Sequence, residues 1–215
     1  MTTVKNVKKM RFLITAGGTR EYLDPVRYIT NASSGRMGYA LAAAALKAGH
    51  SVTLISAPTS LVPPTGAKVV SVVSAGDMFK AVKKHFKTCD CLIMAAAVSD
   101  YTPVDVAKVK RKKEKKILTL KLKPTEDILA WAGRHKKQHM VVGFALEDRN
   151  LKHNAEKKLI SKNADLIVAN SPAAIGADSS RVLLKTPQGD WVEIAGDKMK
   201  TARGIIRYVM SLILR

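Results

Sequence analysis

Short, dense apolar runs bounded by turn residues alternate along the chain with longer stretches of helical periodicity. The first kind reads as strands and the second as helices. "RFLITA", "SVTLIS", "KVVSVV" and "CLIMAAA" are strand-like, with helices expected from about Gly35 to Ala48 and from about Gly76 to Lys87. The rhythm resumes with "ILTLKL", a helix from about Glu126 to Lys136, "HMVVGFA", a helix around Asn154–Lys162, and "ADLIVAN". "SRVLLKTPQGDWVEI" has the form of a hairpin, and a closing helix is expected from about Lys198 to Leu214. Such alternation predicts parallel strands joined by helical crossovers. The expected fold is α/β: a three-layer, doubly wound, Rossmann-like, mostly parallel sheet with a C-terminal β-hairpin. The polar segment between Ser99 and Lys116 is expected to be its largest insertion, a flexible basic loop.

In open sheets of this kind, ligands bind beyond the carboxyl ends of the strands. The ends to inspect are therefore "TAGGTRE", "ISAPTS", "AAAVSDY", "GFALED" and "VANSP". The first is not a dinucleotide fingerprint, because "AGGTREYLDPVRYITN" runs on before any helix opens and no acid closes the second strand. No glycine is followed by Lys-Ser or Lys-Thr, so a P-loop is absent as well. "NASSGRMG" offers another route to phosphate: Ser33 and Ser34 precede or cap a helix whose free amides face an anion, and Gly35 and Gly38 permit close approach. Plain capping of a close-packed helix explains the same residues.

The length, 215 residues, suits one domain spanning 1–215, with residues 1–9 as a short basic N-terminal extension. That short lead suggests a stand-alone protein. No run of about 18 apolar residues is present, and the basic lead enters a strand instead of a signal-peptide core. A soluble, cytoplasmic protein that does not enter a membrane is expected. Cys89 and Cys91 are expected to place alternate side chains on one face of a buried strand as ordinary reduced thiols.

Charge changes the picture most. Thirty-seven Lys plus Arg against seventeen Asp plus Glu leave a formal charge of +20, which draws in anionic partners over long range. Lys158 and Lys162, four apart, project from one helix side and suit a polyphosphate as well as a solvated face. "KVKRKKEKK", residues 108–116, suits a loop closing over a phosphoanhydride, a nucleic-acid patch or a charged hairpin tip. No aromatic residue is interleaved in that run, which argues against a stacking platform for single strands. The five histidines are scattered and no nucleophile elbow is present; His50 and His85 are placed near helix C-termini, where positive charge is favourable.

Taken in order, "ITAGGTREYLDPVRYITNASSGRMGYALA", "AAAVSDY", "KVKR", "VGFALE" and "KKLISKNADLIVAN" resemble the phosphopantothenate–cysteine ligases, also called phosphopantothenoylcysteine synthetases. The resemblance runs from about Met10 to Asn170. It implies a homodimeric enzyme of coenzyme A biosynthesis in which the carboxylate of 4'-phosphopantothenate attacks a nucleoside triphosphate, and L-cysteine then displaces the nucleotide to form an amide. Both steps handle dense negative charge, so Mg²⁺ and lysines are expected; the metal ligands are left unassigned.

By the same resemblance, Asn31 holds the acyl intermediate, and Ser33, Ser34 and Gly35 line the phosphate end. Arg27 reaches the phosphopantothenate of a neighbouring subunit, Ala96 and Ala97 leave room for backbone contacts to the pantothenate arm, and Asp100 engages the nucleotide. Lys108 opens the K-V-K-R form of a bacterial lysine motif and stabilises the transition state. Glu126, Asp127, Ile128 and Leu129 stand in the base-reading loop, Phe144 packs on the base, and Lys158 and Lys162 hold the triphosphate. Two departures stand out: Thr125-Glu126-Asp127-Ile128 replaces the common N-P-D-I, and Gly17-Gly18-Thr19 replaces G-P-T. The K-V-K-R loop favours CTP over ATP, and nothing resembles the flavin-dependent decarboxylase fused to many relatives, so no flavin is expected. A basic nucleic-acid-binding α/β protein is the rival reading, with nucleic acid the less expected partner.

Overall fold

The computed structural model describes residues 8–113, 115, 117–172 and 179–214. Residues 1–7 of the basic lead, and Glu114 and Lys116 of the basic run, lie outside the described residues. The elements follow the order β1 (Arg11–Ala16), β2 (Arg20–Tyr22), β3 (Tyr28–Thr30), α1 (Arg36–Lys47), β4 (Ser51–Ser56), β5 (Lys68–Ser71), α2 (Ala75–Phe86), β6 (Cys91–Met94) and β7 (Tyr101–Pro103). They continue with β8 (Leu122–Pro124), α3 (Ile128–His135), β9 (Met140–Leu146), α4 (Leu151–Ser161), β10 (Leu166–Asn170), β11 (Ser179–Lys185), β12 (Val192–Asp197) and α5 (Lys198–Ile213).

One eight-stranded sheet runs β12-β11-β10-β9-β6-β1-β4-β5. The six strands from β5 to β10 pair in parallel, while β11 and β12 extend the β10 side as an antiparallel hairpin. Numbered among themselves in chain order, the parallel strands read 3-2-1-4-5-6, the doubly wound order whose switch point lies between the first and fourth strands. Here these are β1 and β6, in register from Phe12 opposite Cys91 to Thr15 opposite Met94.

Alternate residues of each strand feed separate cores. Phe12, Ile14, Leu54, Ile93 and Val168 pack under α1 and α5, whereas Leu13, Ile55, Leu92, Val141 and Ile167 pack under α2, α3 and α4. This period-two division of a nearly all-apolar strand is what a sheet covered on both faces requires. Alanines 40, 42, 44 and 45 of α1 are all buried, and their small size lets the helix lie close to the sheet and to α5. Ser74 and Asp77 form a capping box that starts α2, and Glu21 accepts the Ala75 N–H at 2.8 Å, tying β2 to that helix.

Several expectations are corrected. "ILTLKL" does not enter the main sheet: only Leu122 is in a strand, within a three-residue ribbon of β7 and β8, and Ile117 is 96% exposed. The sheet position beside β6 is taken by β9, so the apolar residues of that run have no core face to join. The Arg20–Tyr22 and Tyr28–Thr30 hairpin and β7 were not anticipated, because three-residue ribbons carry too little pattern to read. "CLIMAAA" is a strand only to Met94, after which a single bridge joins Ala97 to Gly18. The fourth helix begins at Leu151, three residues before Asn154.

Cys89 and Cys91 do not share a strand face. Cys89 lies in the turn before β6 and packs with the α2–α4 core, while Cys91 enters the opposite core. Burial pushes the Cys89 thiol up to about 12 and raises that of Cys91 as well. His85 occupies the last turn of α2 as expected, yet neither histidine favours the cation. Burial lowers both, Lys68 and Lys84 lower His85 further, and His50 Nδ1 accepts the Met10 N–H at 3.3 Å.

Candidate active site

A cleft of about 740 Å³ opens at the carboxyl ends of the parallel strands, across the switch point between β1 and β6. One wall is the turn leading into α1. Gly35 is the N-cap, with φ 76° and no side-chain cap hydrogen bond, and its Cα side lies against Gly17, where an added Cβ would meet backbone at 3.2 Å. Ser33 and Ser34 therefore precede the helix, their hydroxyls accepting the Gly35 N–H at 3.4 Å and the Arg36 N–H at 3.5 Å, and the N-terminus of α1 lines the cleft. A helix N-terminus presented in this way is an anion site by its own dipole.

Asn31 ends the β2–β3 hairpin and lines the same wall. Its Nδ2 donates to the Val98 carbonyl at 3.1 Å. Because a carbonyl can only accept, this bond fixes which way the amide points and leaves the second N–H of Nδ2 for a ligand. Thr19, Ser99 and Thr125 brace the surroundings: Thr19 Oγ1 accepts the Ser99 N–H at 2.9 Å, and Thr125 Oγ1 donates to the Ser99 carbonyl at 2.6 Å.

The floor is the extension of β6. Ala96 and Ala97 line the cleft, but Ala96 N–H donates to Thr15 Oγ1 and Ala97 N–H to the Gly17 carbonyl. These positions thus offer a ligand small side chains and not free amides, which narrows the backbone contacts expected of them. Asp100, on the way into β7, and Phe144 of β9 also line the cleft.

The second wall is cationic and comes from α3 and α4. Glu126, Asp127, Ile128 and Leu129 lead into and begin α3, with Asp127 as its N-cap, its carboxylate accepting the Ala130 N–H at 2.8 Å. Lys162 Nζ stands 2.7 Å from the other Asp127 oxygen. Burial opposes the Asp127 charge, but Lys162 and the Ala130 N–H outweigh it and hold the carboxyl below its usual range. The Lys162 carbonyl lies against Gly133, where a Cβ would be only 1.9 Å away, so the glycine lets α4 close on α3 and aims Lys162 back along that helix. Lys158 is half-buried in the cleft and makes no ion pair within 4 Å among the described residues. Burial lowers its pKa, against the opposing pull of Glu147, Asp127 and Asp100.

All the expected site residues line this cleft except Arg27 and Lys108. Both belong to a neighbouring structure. Buried Asp24 accepts the Val26, Arg27 and Arg111 N–H groups and stands 3.1 Å from Arg27 Nε. Arg27 also donates to the Arg111 carbonyl, and Ala107 N–H to that of Leu23. The basic run is therefore tied at Ala107 and Arg111, and Lys108 and Lys110 stand exposed on the arch between them. Arg36, Asn170 and Lys198 line the cleft without having been singled out. Asn170 ends the inspected "VANSP" strand and Arg36 follows the serine–glycine turn, but only the tertiary fold brings the start of α5 to this point.

The molecule is thus a doubly wound α/β protein whose switch-point cleft is walled by two helix N-termini and a lysine pair. The family model described as the DNA/pantothenate metabolism flavoprotein C-terminal domain matches residues 7–213, and the chain belongs to that family. It is 51% identical over 166 residues to the coenzyme A biosynthesis bifunctional protein CoaBC of Bacillus subtilis (strain 168), covering 77% of this chain and 41% of that protein. It is 42% identical over 197 residues to the same-named protein of Escherichia coli (strain K12), covering 88% of this chain and 48% of that one. The chain therefore spans less than half the length of these relatives. A crystal structure of the C-terminal domain of CoaBC superposes with a TM-score of 0.83 at 38% identity, covering 95% of this chain and 96% of that one.

Proposed function

We propose that this cleft joins 4'-phosphopantothenate to L-cysteine through an acyl-cytidylate, as the ligase step of coenzyme A biosynthesis in the cytoplasm. The observation that carries this reading is the convergence, in one cleft of the family's fold, of an oriented amide at Asn31, the α1 N-terminus, and the lysine pair Lys158 and Lys162. A carboxylate, a triphosphate and an acyl intermediate are the three things such a set of groups can hold together.

In the first step a carboxylate oxygen of phosphopantothenate attacks the α-phosphorus of CTP, the bond to the β-phosphate oxygen breaks, and pyrophosphate leaves. Lys158, Lys162 and the positive end of the α1 dipole neutralise the triphosphate, and Lys108 swings from its arch to meet charge developing in the transition state. In the second step the cysteine amine attacks the acyl carbon, an amide forms, and CMP leaves with one proton released. Asn31 donates its remaining N–H to the acyl carbonyl oxygen and so holds the carbon for attack. Ala96 and Ala97 make room for the pantothenate arm, and Phe144 packs on the base beside the loop of Glu126 to Leu129.

Among the described residues no group of three His, Cys, Asp or Glu side chains is placed to hold a metal ion. Mg²⁺ fits the site as a passenger on the nucleotide, its ligands chiefly phosphate oxygens and water, with Asp100 and Glu126 the cleft carboxylates that make no ion pair among the described residues. Bound there, it would supply further neutralisation of the triphosphate. Arg27 is outside its own cleft, between the exposed Val26 and Tyr28, which supports a homodimer in which it serves the neighbouring subunit. No flavin site is proposed for these residues, and no helix of the described residues is long and apolar enough to cross a membrane.

The departure at Thr125-Glu126-Asp127-Ile128 favours one second reading, the same ligase using ATP. Pyrophosphate release measured with 4'-phosphopantothenate, Mg²⁺ and cysteine, with CTP and ATP in parallel, decides between them. Release with CTP and formation of the cysteine amide supports the first reading; release with ATP alone supports the second, and release with neither removes both.

A further inference from the structure

Lys158 in the last turn of α4 and Lys162 at its C-cap both line the cleft but are held differently. Lys162 is engaged directly by Asp127 at 2.7 Å. Lys158 lines the same cleft, half-buried, with no carboxylate within ion-pair distance among the described residues. An ammonium taken partly out of water without a direct partner tends to lose its proton, so something must hold its charge.

The surrounding groups can be named from each packed element. Asp100 follows β6, Asp127 is the N-cap of α3, Glu147 follows β9, and Lys162 is the C-cap of α4. The first two carboxylates line the cleft, where a bound triphosphate would compete with them, and Asp127 is already committed to Lys162 and to the Ala130 N–H. Glu147 is different. Leu146 lines the cleft but Glu147 does not, and its backbone is fixed to the sheet by a 3.0 Å bond from its N–H to the Asn170 carbonyl. Its Oε2 accepts from Asn154 Nδ2 at 3.0 Å, and Asn154 also donates to the Arg149 carbonyl at 3.1 Å. Asn154 is four residues before Lys158, on the same side of α4.

We propose that Glu147, fixed by Asn154, is a positioning residue for Lys158: its carboxylate keeps the ammonium charged from outside the cleft, without a direct ion pair, so that Lys158 meets a nucleotide's phosphates uncommitted. This rests on the ligase reading for its ligand. It also explains why Asn154 turns its side chain back toward the β9 end, where Asn150, the N-cap of α4, makes no side-chain cap bond.

The test is the dissociation constant of CTP with Mg²⁺, titrated calorimetrically on the whole chain from about pH 7 to about pH 10, with no other substrate present. Wild-type affinity falls on an alkaline limb set by Lys158, and Lys158→Met removes the limb. Glu147→Gln shifts it to lower pH by about one unit, Glu147→Asp restores it, and Asn154→Ala shifts it in the same direction by less. A Glu147→Gln limb that superposes on the wild type, with only a lowered unfolding temperature, assigns Glu147 to anchoring α4 and overturns the inference while leaving the ligase reading intact. Retention of the limb in Lys158→Met overturns it equally. A wild-type chain that binds neither CTP nor ATP overturns the inference together with the reading beneath it.

Discussion

Gly133→Ala is a one-methyl change outside the cleft that should disturb it. A Cβ at Gly133 would stand 1.9 Å from the Lys162 carbonyl oxygen and 3.0 Å from that of Asn163, whereas ordinary contact begins at 3.4 Å. The two helices must therefore separate by about 1.5 Å, the difference between 3.4 and 1.9 Å. The obstacle is backbone, which no rotamer change relieves. Overpacking of this kind costs about 1–3 kcal/mol, and alanine returns roughly 0.8–1 kcal/mol of helix propensity. With the clash at the upper end, a net loss of about 1–2 kcal/mol follows. For a chain of this length that lowers the unfolding temperature by about 2–8 °C. The separation also strains the 2.8 Å bond from Asn163 Nδ2 to the Gly133 carbonyl and pulls Lys162 from its 2.7 Å contact with Asp127. A cation misplaced by more than an ångström should weaken nucleotide binding on the order of 10- to 100-fold. Thermal unfolding and nucleotide titration of the variant measure the two effects. An unfolding temperature equal to or above the wild type, with unchanged nucleotide affinity, would refute the reasoning.

Asn31→Asp places a carboxylate against the Val98 carbonyl and removes both N–H donors. Rapid-quench analysis should find acyl-nucleotide formed but its conversion with cysteine slowed by about 10²–10³, and steady-state turnover equal to the wild type would count against the role. His50 has its folded pKa below the ordinary 6.5 because it is buried. The unfolded chain therefore binds the extra proton first, so this contribution to stability is full above 6.5 and is lost as the pH falls below it toward the folded value. His50→Asn, which keeps an acceptor for the Met10 N–H, should flatten that part of the pH dependence in chemical unfolding. With its pKa at about 12, Cys89 should react with iodoacetamide in the native protein far more slowly than in denaturant. A factor of roughly a thousand is expected at about pH 8, and equal rates would show the thiol to be accessible.

The sheet was legible because its strands are nearly all apolar and its crossovers are periodic. "RFLITA" and "HMVVGFA" read as short strands between helical stretches, and the order of runs implied their parallel pairing. What escaped was structure specified by few residues or by distant ones. The β2–β3 and β7–β8 ribbons pair only three residues from each strand, too few for a local pattern to encode. "ILTLKL" has strand-like alternation and no sheet face to occupy, since β9 takes the place beside β6. The two cysteines parted because the strand begins only at Cys91. In the cleft, residues belonging to compact motifs were readable, from Asn31 to Gly35 and at Lys158 and Lys162. Lys198 and Gly133 were not, because each acts through an element far away in the chain. The departures of Arg27 and Lys108 from the cleft have a local cause: Asp24 gathers both their segments at one buried carboxylate.

The most direct measurement follows one oxygen atom. Phosphopantothenate labelled with ¹⁸O in its carboxylate is incubated with the protein, CTP, Mg²⁺ and cysteine, and the nucleotide and phosphate products are examined by mass spectrometry. Attack of the carboxylate on the α-phosphorus, followed by displacement by the amine, leaves one labelled oxygen in CMP and none in pyrophosphate. Label appearing in inorganic phosphate with CDP as the nucleotide product, or no labelled product at all, would contradict the assignment of this cleft as an acyl-cytidylate-forming ligase.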